Sequence, residues 1–343
     1  MTIAIIGTFQ SGVRGTLTGS LCRLLESLGV PHRVLDLDRL MNQPETSRFR
    51  LAKQRLLAWK LRHLADYDLI IVISTIPHAF RKDFAVEALR QHAPQAPVVL
   101  AANLYLPSRP HFIAALRDEG HHGLGRYDHY LCTSVHNVHP VPRGPQPATL
   151  IGLRLDGRLL HPGPARPLSA LLDFERPGGE ERRAEEVRAL KEAGIPHEQL
   201  GGTLSYPDLC ARYRQSGLFF LSFGESFGVP LCEAQACGSY IVTPSANWCQ
   251  AHQIKQDIHL PGPGRLNENF IVYDDIDDLK HKLSTLDRRH DPLRVRRRVE
   301  ADFPHYLQGD PDALATFLER CRAGDIHADS HRAFPFDGIF PET

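Results

Sequence analysis

Along the first 135 residues a short apolar run, a turn and an amphipathic stretch follow one another repeatedly. The runs "IAIIG", "RVLDLD", "DLIIVIS", "PVVLAAN" and "DHYLCTS" read as buried strands, and helical periodicity fills residues 15–28, 48–65, 81–92 and 109–118 between them. Such alternation predicts an α/β domain built on a parallel, doubly wound sheet. The rhythm lapses from Val138 to Pro167, where seven prolines occur, and resumes with the strand "LSALLDFER". Two helices follow, "EERRAEEVRALKEAG" and "PDLCARYRQSG", each closed by glycine, then the strand "LFFLS", a helix from near Pro230 to Gly238, and the strand "YIVT". Glycine just past a helix end and proline in its first turn are the expected punctuation. The pattern thus divides the chain into an N-terminal Rossmann-like domain at 1–150, a linker at 151–167 and a second Rossmann-like domain at 168–304. A C-terminal helix ("PDALATFLERCRAG") and tail at 305–343 are expected to pack back on the first domain.

The stretch "LFFLSFGESFGVPLCEAQACG" carries the candidate chemistry. In a strand–loop–helix unit of a parallel sheet, the loop at the carboxyl end of the strand faces the ligand crevice. Glu225 falls on that loop and Glu233 about one turn inside the next helix. The helix start between them offers unpaired N–H groups to phosphate. A carboxylate beside it accepts hydrogen bonds from hydroxyls, as a ribose supplies. A phosphorylated, hydroxyl-rich ligand such as a nucleotide sugar fits this layout. The plainer reading leaves Glu233 complementing the helix dipole and Glu225 solvated.

"ESFGVPLCEAQACG" resembles the E-x7-E segment of retaining, family 4 type glycosyltransferases, whose GT-B fold sets two Rossmann-like domains facing each other across a crevice. "LGGTLSYPDLCARYRQSGLFFLSF", "IGLRLDGRLLHPG" and "GTFQSGVRGTLTGSLCRLLESLGV" are similar to the family's preceding glycine, helix and strand, to its linker, and to its N-terminal glycine loop with the first helix. The resemblance implies transfer of a sugar from a nucleotide-sugar donor to a hydroxyl acceptor with retention. The departing diphosphate takes the acceptor's proton, and neither a protein nucleophile nor a metal is required. By position, Glu233 would bind ribose hydroxyls and Glu225 would face the sugar, while Ser226 and the amides of Phe227 and Gly228 would lie along sugar or phosphate. Arg176 would meet the diphosphate as a catalytic cation, with Arg182 or Arg183 replacing the family's absent lysine, and Gly12 would face phosphate from the N-terminal loop. His78 and Asn103 are the candidates on the acceptor side. Between Arg176 and Gly201 the sequence has room for one helix where the family has a further strand–helix unit, so the second domain is expected to be trimmed.

Composition narrows the field further. In 343 residues, Lys plus Arg and Asp plus Glu are equal at 40 each, which gives no whole-chain case for a nucleic-acid partner. The start "MTIAIIGTF" lacks a signal-peptide pattern and no apolar run reaches ~18 residues, so a cytoplasmic protein is expected. Seven cysteines without a C-x-x-C pair read as reduced, and nineteen histidines form no compact metal motif. Residues 48–63 carry six cations around Leu56, Trp59 and Leu64, either a basic surface for the inner face of an anionic membrane or a helix on the sheet with a solvated face. Two alternatives to the transferase stand beside it: a glycosyltransferase-like protein that only binds nucleotide or glycan, and a GT-B nucleotide-sugar epimerase.

Overall fold

The computed structural model describes residues 1–9, 13–36, 50–74, 86–102, 127–135, 141, 143, 147–174, 177–202, 204–221, 225, 227–245, 249–260 and 262–330. The chain divides into two compact units. The first comprises Met1–Arg154, Ile258–Leu260 and Gln308–Thr343; the second comprises Leu155–Asp257 and Pro261–Leu307.

The first unit holds a six-stranded sheet in the order β2-β1-β3-β4-β5-β6, with every pair parallel. Its strands are β1 (Ile3–Ile6), β2 (His32–Leu35), β3 (Leu69–Ser74), β4 (Val98–Ala102), β5 (His129–Cys132) and β6 (Ala148–Leu150). The central strands are apolar on both faces, as a sheet covered on both sides requires, and the residues of β1 are at most 1% exposed. Helices α1 (Val13–Ser27), α2 (Arg50–Arg62) and α3 (Val86–His92) lie between strands; the helix expected at 109–118 lies outside the described residues. The last helix of the chain belongs to this unit and packs on α1 and β6. The His129 ring stacks on Phe317 of that helix at 5.2 Å and its Nε2 meets Thr149 Oγ1 at 2.8 Å. Burial, with Arg320 adding to it, pushes this imidazole down to about 3.

The second unit holds five parallel strands. After β7 (Arg166–Pro167) come β8 (Ala170–Leu172), helix α4 (Glu180–Glu192), β9 (His197–Gln199), α5 (Tyr206–Gln215), β10 (Leu218–Phe220), α6 (Val229–Ala236) and β11 (Tyr240–Pro244). A ribbon of β12 (Gln253–Ile254) with β13 (Arg265–Leu266) follows, then β14 (Phe270–Tyr273), α7 (Ile276–Thr285), β15 (Arg289–His290), which pairs with β7, and α8 (Pro292–Asp302). Helix α9 (Pro311–Ala323) is the one that returns to the first unit. Ser205, Asp275, Asp291 and Asp310 cap α5, α7, α8 and α9, each accepting from a first-turn N–H.

Sheet order β14-β11-β10-β8-β9 positions the site. From β8 the chain runs outward to β9, then returns to place β10 on the other side of β8. The switch point therefore falls between the carboxyl ends of β8 and β10, where ligands of open α/β sheets bind. The strand His197–Gln199 was not expected. It is short, polar and at the sheet edge, so it carries no apolar signature.

Candidate functional site

Strand β10 is at most 1% exposed and lies between β8 and β11. At its end the Leu221 N–H meets the Val242 carbonyl at 3.1 Å. Gly228 stands at the cap position of α6 with φ 63° and ψ 102°, and a Cβ there would overlap the side chain of Leu231. Only glycine takes this backbone without strain. Pro230 in the first turn needs no N–H partner, and the Gly228 carbonyl receives the Leu231 and Cys232 amides at 3.1 and 3.4 Å. All helical residues except Pro230 are buried.

Glu233 lies within this buried helix and is 3% exposed. The Tyr206 hydroxyl, on the first residue of α5, donates to its Oε1 at 2.7 Å. Glu225 is half-buried on the loop, and its carbonyl accepts the Cys249 N–H at 2.5 Å. Both carboxylates act on the Cys232 thiol, which burial first and then Glu233 and Glu225 push well above its ordinary value. Both glutamates thus lie within electrostatic reach of one thiol of α6. Neither Tyr206 nor its bond to Glu233 was foreseen, since the two residues stand 27 positions apart and only the packing of α5 against α6 joins them.

Phe227, expected to contribute its amide, has a wholly buried ring that packs edge-on against Tyr306 at 5.0 Å and stacks with His252 at 6.0 Å. Arg183 is buried, and its Nη1 pairs with Glu186 Oε2 at 2.8 Å, while the Tyr273 hydroxyl donates to Glu186 Oε1 at 2.7 Å. Arg182, one turn before Glu186, keeps a third of its side chain exposed with Nε 4.0 Å from the same carboxylate. Of the two cations, Arg182 is the more accessible to a ligand. Gly12, His78, Asn103, Arg176 and Ser226 lie outside the described residues.

Among the described residues, no three His, Cys, Asp or Glu side chains group as a metal site, and no helix is long and apolar enough to cross a membrane. All seven cysteines are free and six of them are buried. On α2, Leu56 and Trp59 are 42% and 52% exposed, next to Lys60 and Arg62 in the last turn.

No family model matches the chain, and no curated protein matches it in sequence. A solved structure of a Listeria monocytogenes protein assigned as a UDP-N-acetylglucosamine 2-epimerase is 12% identical with a TM-score of 0.54, over 94% of this chain and 96% of that one. The calicheamicin glycosyltransferase CalG4 is 14% identical with a TM-score of 0.42, over 94% and 98%. Acinetobacter baumannii MurG is 11% identical with a TM-score of 0.39, over 98% of each chain. The fold is GT-B. Within this GT-B chain, the loop and helix that carry Glu225 and Glu233 follow the strand beside the switch point of the second sheet.

Proposed function

We propose that this chain is a glycosyltransferase that moves a sugar from a nucleotide-sugar donor to a hydroxyl acceptor with retention. The observation that carries the reading is the placement of Glu225 on the loop and Glu233 in α6, beside the switch point of the second sheet, with Gly228 between them in a backbone conformation that only glycine takes without strain. On this reading Glu233, steadied by Tyr206, accepts the ribose hydroxyls. The Gly228 amide and the helix start receive the diphosphate. Glu225 faces the transferred sugar, Arg176 and Arg182 hold the charge of the leaving group, and Gly12 faces phosphate. The acceptor oxygen, placed by residues such as His78 and Asn103, bonds to the anomeric carbon while the bond from that carbon to the diphosphate breaks. Its proton passes to the departing diphosphate on the same face. Positioning and fixed positive charge supply the catalysis, and no metal is needed.

The acceptor is a glycan, a lipid-linked molecule or a small molecule, and the protein acts in the cytoplasm. Exposed Trp59 and Leu56 amid the cations of α2 suit contact with an anionic inner membrane face. Melting measured with UDP, GDP, ADP and their sugars tests the reading. One base series should stabilise the protein, by ~2.7 kcal/mol at a hundredfold over the dissociation constant, and the matching sugar nucleotide should release its sugar to an acceptor. Absence of stabilisation by all three series would sink it. A second reading, nucleotide-sugar epimerisation, draws on the likeness to the Listeria protein. It is separated by conversion of the donor sugar with no acceptor present.

A further inference from the structure

His252 is fully buried in the short turn Gln250–His252, behind the loop that leads into α6. Its Nε2 lies 2.7 Å from the Phe227 carbonyl oxygen. A carbonyl only accepts, so Nε2 carries the proton. Nδ1 is buried without a hydrogen-bond partner, which fixes the same tautomer from the other side of the ring. The imidazole is wedged among Phe227, Phe270, Tyr306 and Phe303, with ring centroids 5.2–6.0 Å away. Burial brings its pKa down to about 4 against the opposing pull of the Phe227 bond, so the ring is neutral at pH 7.

The consequence follows from peptide geometry. In a planar trans peptide the C=O and the next N–H point in opposite directions. Drawing the Phe227 oxygen onto His252 therefore turns the Gly228 N–H to the opposite side of the peptide, away from His252. Gly228 sits beside Glu225, since a Cβ built on it would lie 3.5 Å from Glu225 Cβ. The same turn grips the loop a second time, through the Cys249 N–H and the Glu225 carbonyl, so the loop is held from behind at two alternate carbonyls. Cys249 does this from the left-handed region, at φ 58° and ψ 31°.

We propose that His252 is a positioning residue for diphosphate recognition: through the Phe227 carbonyl it aims the Gly228 amide at an anionic oxygen of the donor. This rests on the donor reading above, and the tests separate the two. Calorimetry on the full chain with uridine and UDP, guanosine and GDP, and adenosine and ADP gives the affinity gained from the diphosphate as the ratio of the two dissociation constants. His252→Phe keeps an aromatic ring in the cluster and removes the donor. It should lower that ratio about tenfold, as misdirecting one amide bond to an anion implies, and leave nucleoside affinity unchanged. His252→Gln supplies an N–H of similar reach and should restore most of the ratio. An unchanged ratio in His252→Phe, or equal weakening of nucleoside and diphosphate in both variants, overturns the positioning role alone. Failure of the wild-type chain to bind any of the three diphosphates overturns the donor reading and this role with it. Should His252→Phe not fold, the Gly228 amide proton of the wild-type chain decides, because saturation with the preferred diphosphate must move its resonance downfield and a stationary signal refutes the assignment.

Discussion

Replacing Glu233 by glutamine removes one negative charge and leaves the shape of the side chain intact. In the free protein the change should be small. Gln still offers an oxygen to the Tyr206 hydroxyl, now 2.7 Å from Glu233 Oε1, so only the charge-assisted share of that bond is lost, about 1 kcal/mol. Relief from keeping a carboxylate 3% exposed acts in the opposite direction. Nucleotide binding should respond far more. A hydroxyl donating to a carboxylate contributes ~1.5–3 kcal/mol against ~0.5–1.5 for a neutral acceptor, and a ribose has two such hydroxyls. The expected loss is ~2–3 kcal/mol, or roughly 30- to 150-fold in dissociation constant. Calorimetry with the preferred nucleoside diphosphate measures it, and the 2′-deoxy and 3′-deoxy analogues should show a smaller penalty, because they lack one of the hydroxyls concerned. A folded Glu233→Gln variant that binds the ribonucleotide within twofold of wild type would remove the ribose role and leave Glu233 as a buried partner of Tyr206.

Tyr206→Phe strips the hydroxyl from beneath Glu233 and should cost ~1.5–3 kcal/mol in urea unfolding of the second unit, because a buried carboxylate oxygen loses a donor; an unchanged midpoint would show that solvent already satisfies that oxygen. Glu225→Gln should leave diphosphate affinity nearly intact and lower the transfer rate by roughly 10²–10³, and equal loss of both would mean that Glu225 does not face the sugar. Acid should destabilise the fold through His129, His252 and His290, whose pKa values burial brings to about 3, 4 and 4 from an ordinary 6.5. Their folded values are depressed, so the stability they support is complete above pH 6.5 and falls as the pH drops toward 4, by up to ~1.4 kcal/mol per pH unit for each. Denaturant titrations that give the same stability at pH 7 and pH 4.5 would contradict this.

The sheets were legible because buried parallel strands are nearly continuous apolar runs. "IAII", "LIIVIS" and "LFF" announce themselves by composition. Strands without that burial did not. Ala148–Leu150 is half-exposed among prolines, and His197–Gln199 is polar, yet both complete their sheets through backbone pairing to a neighbour. Helices α7 and α8 passed unnoticed for another reason. Asp275 before "IDDL" and Asp291–Pro292 before "LRVRRRV" are start signals that the alternation of apolar runs alone does not pick out. At the candidate site, the strand–loop–helix pattern was enough to put Glu225 on the loop and Glu233 inside the helix. The residues that support them were not readable, because Tyr206 reaches α6 and His252 reaches the loop through contacts that the fold alone creates.

The loop into α6 gathers features that weaken a fold when taken singly. Glu233 keeps a carboxylate at 3% exposure, where a well-packed apolar side chain of similar volume would be at least as stable. Gly228 holds φ at 63°, and glycine adds backbone entropy to the unfolded chain. Cys249 occupies the left-handed region without being glycine, a conformation that costs of order 1–2 kcal/mol. His252 buries an Nδ1 with no hydrogen-bond partner. Four such departures within 25 residues, all meeting at the carboxyl end of one strand, would be a poor way to make a stable turn. They are consistent as a way to hold a carboxylate, an amide and a helix start in a fixed relation. Elsewhere in the second unit, capped helices and apolar strands supply stability that offsets the local cost. Strain of this kind is what a ligand-shaped loop would carry, and it agrees with the donor site proposed for this loop. On the proposed reading, the donor would meet there the Gly228 amide, a helix start and two carboxylates.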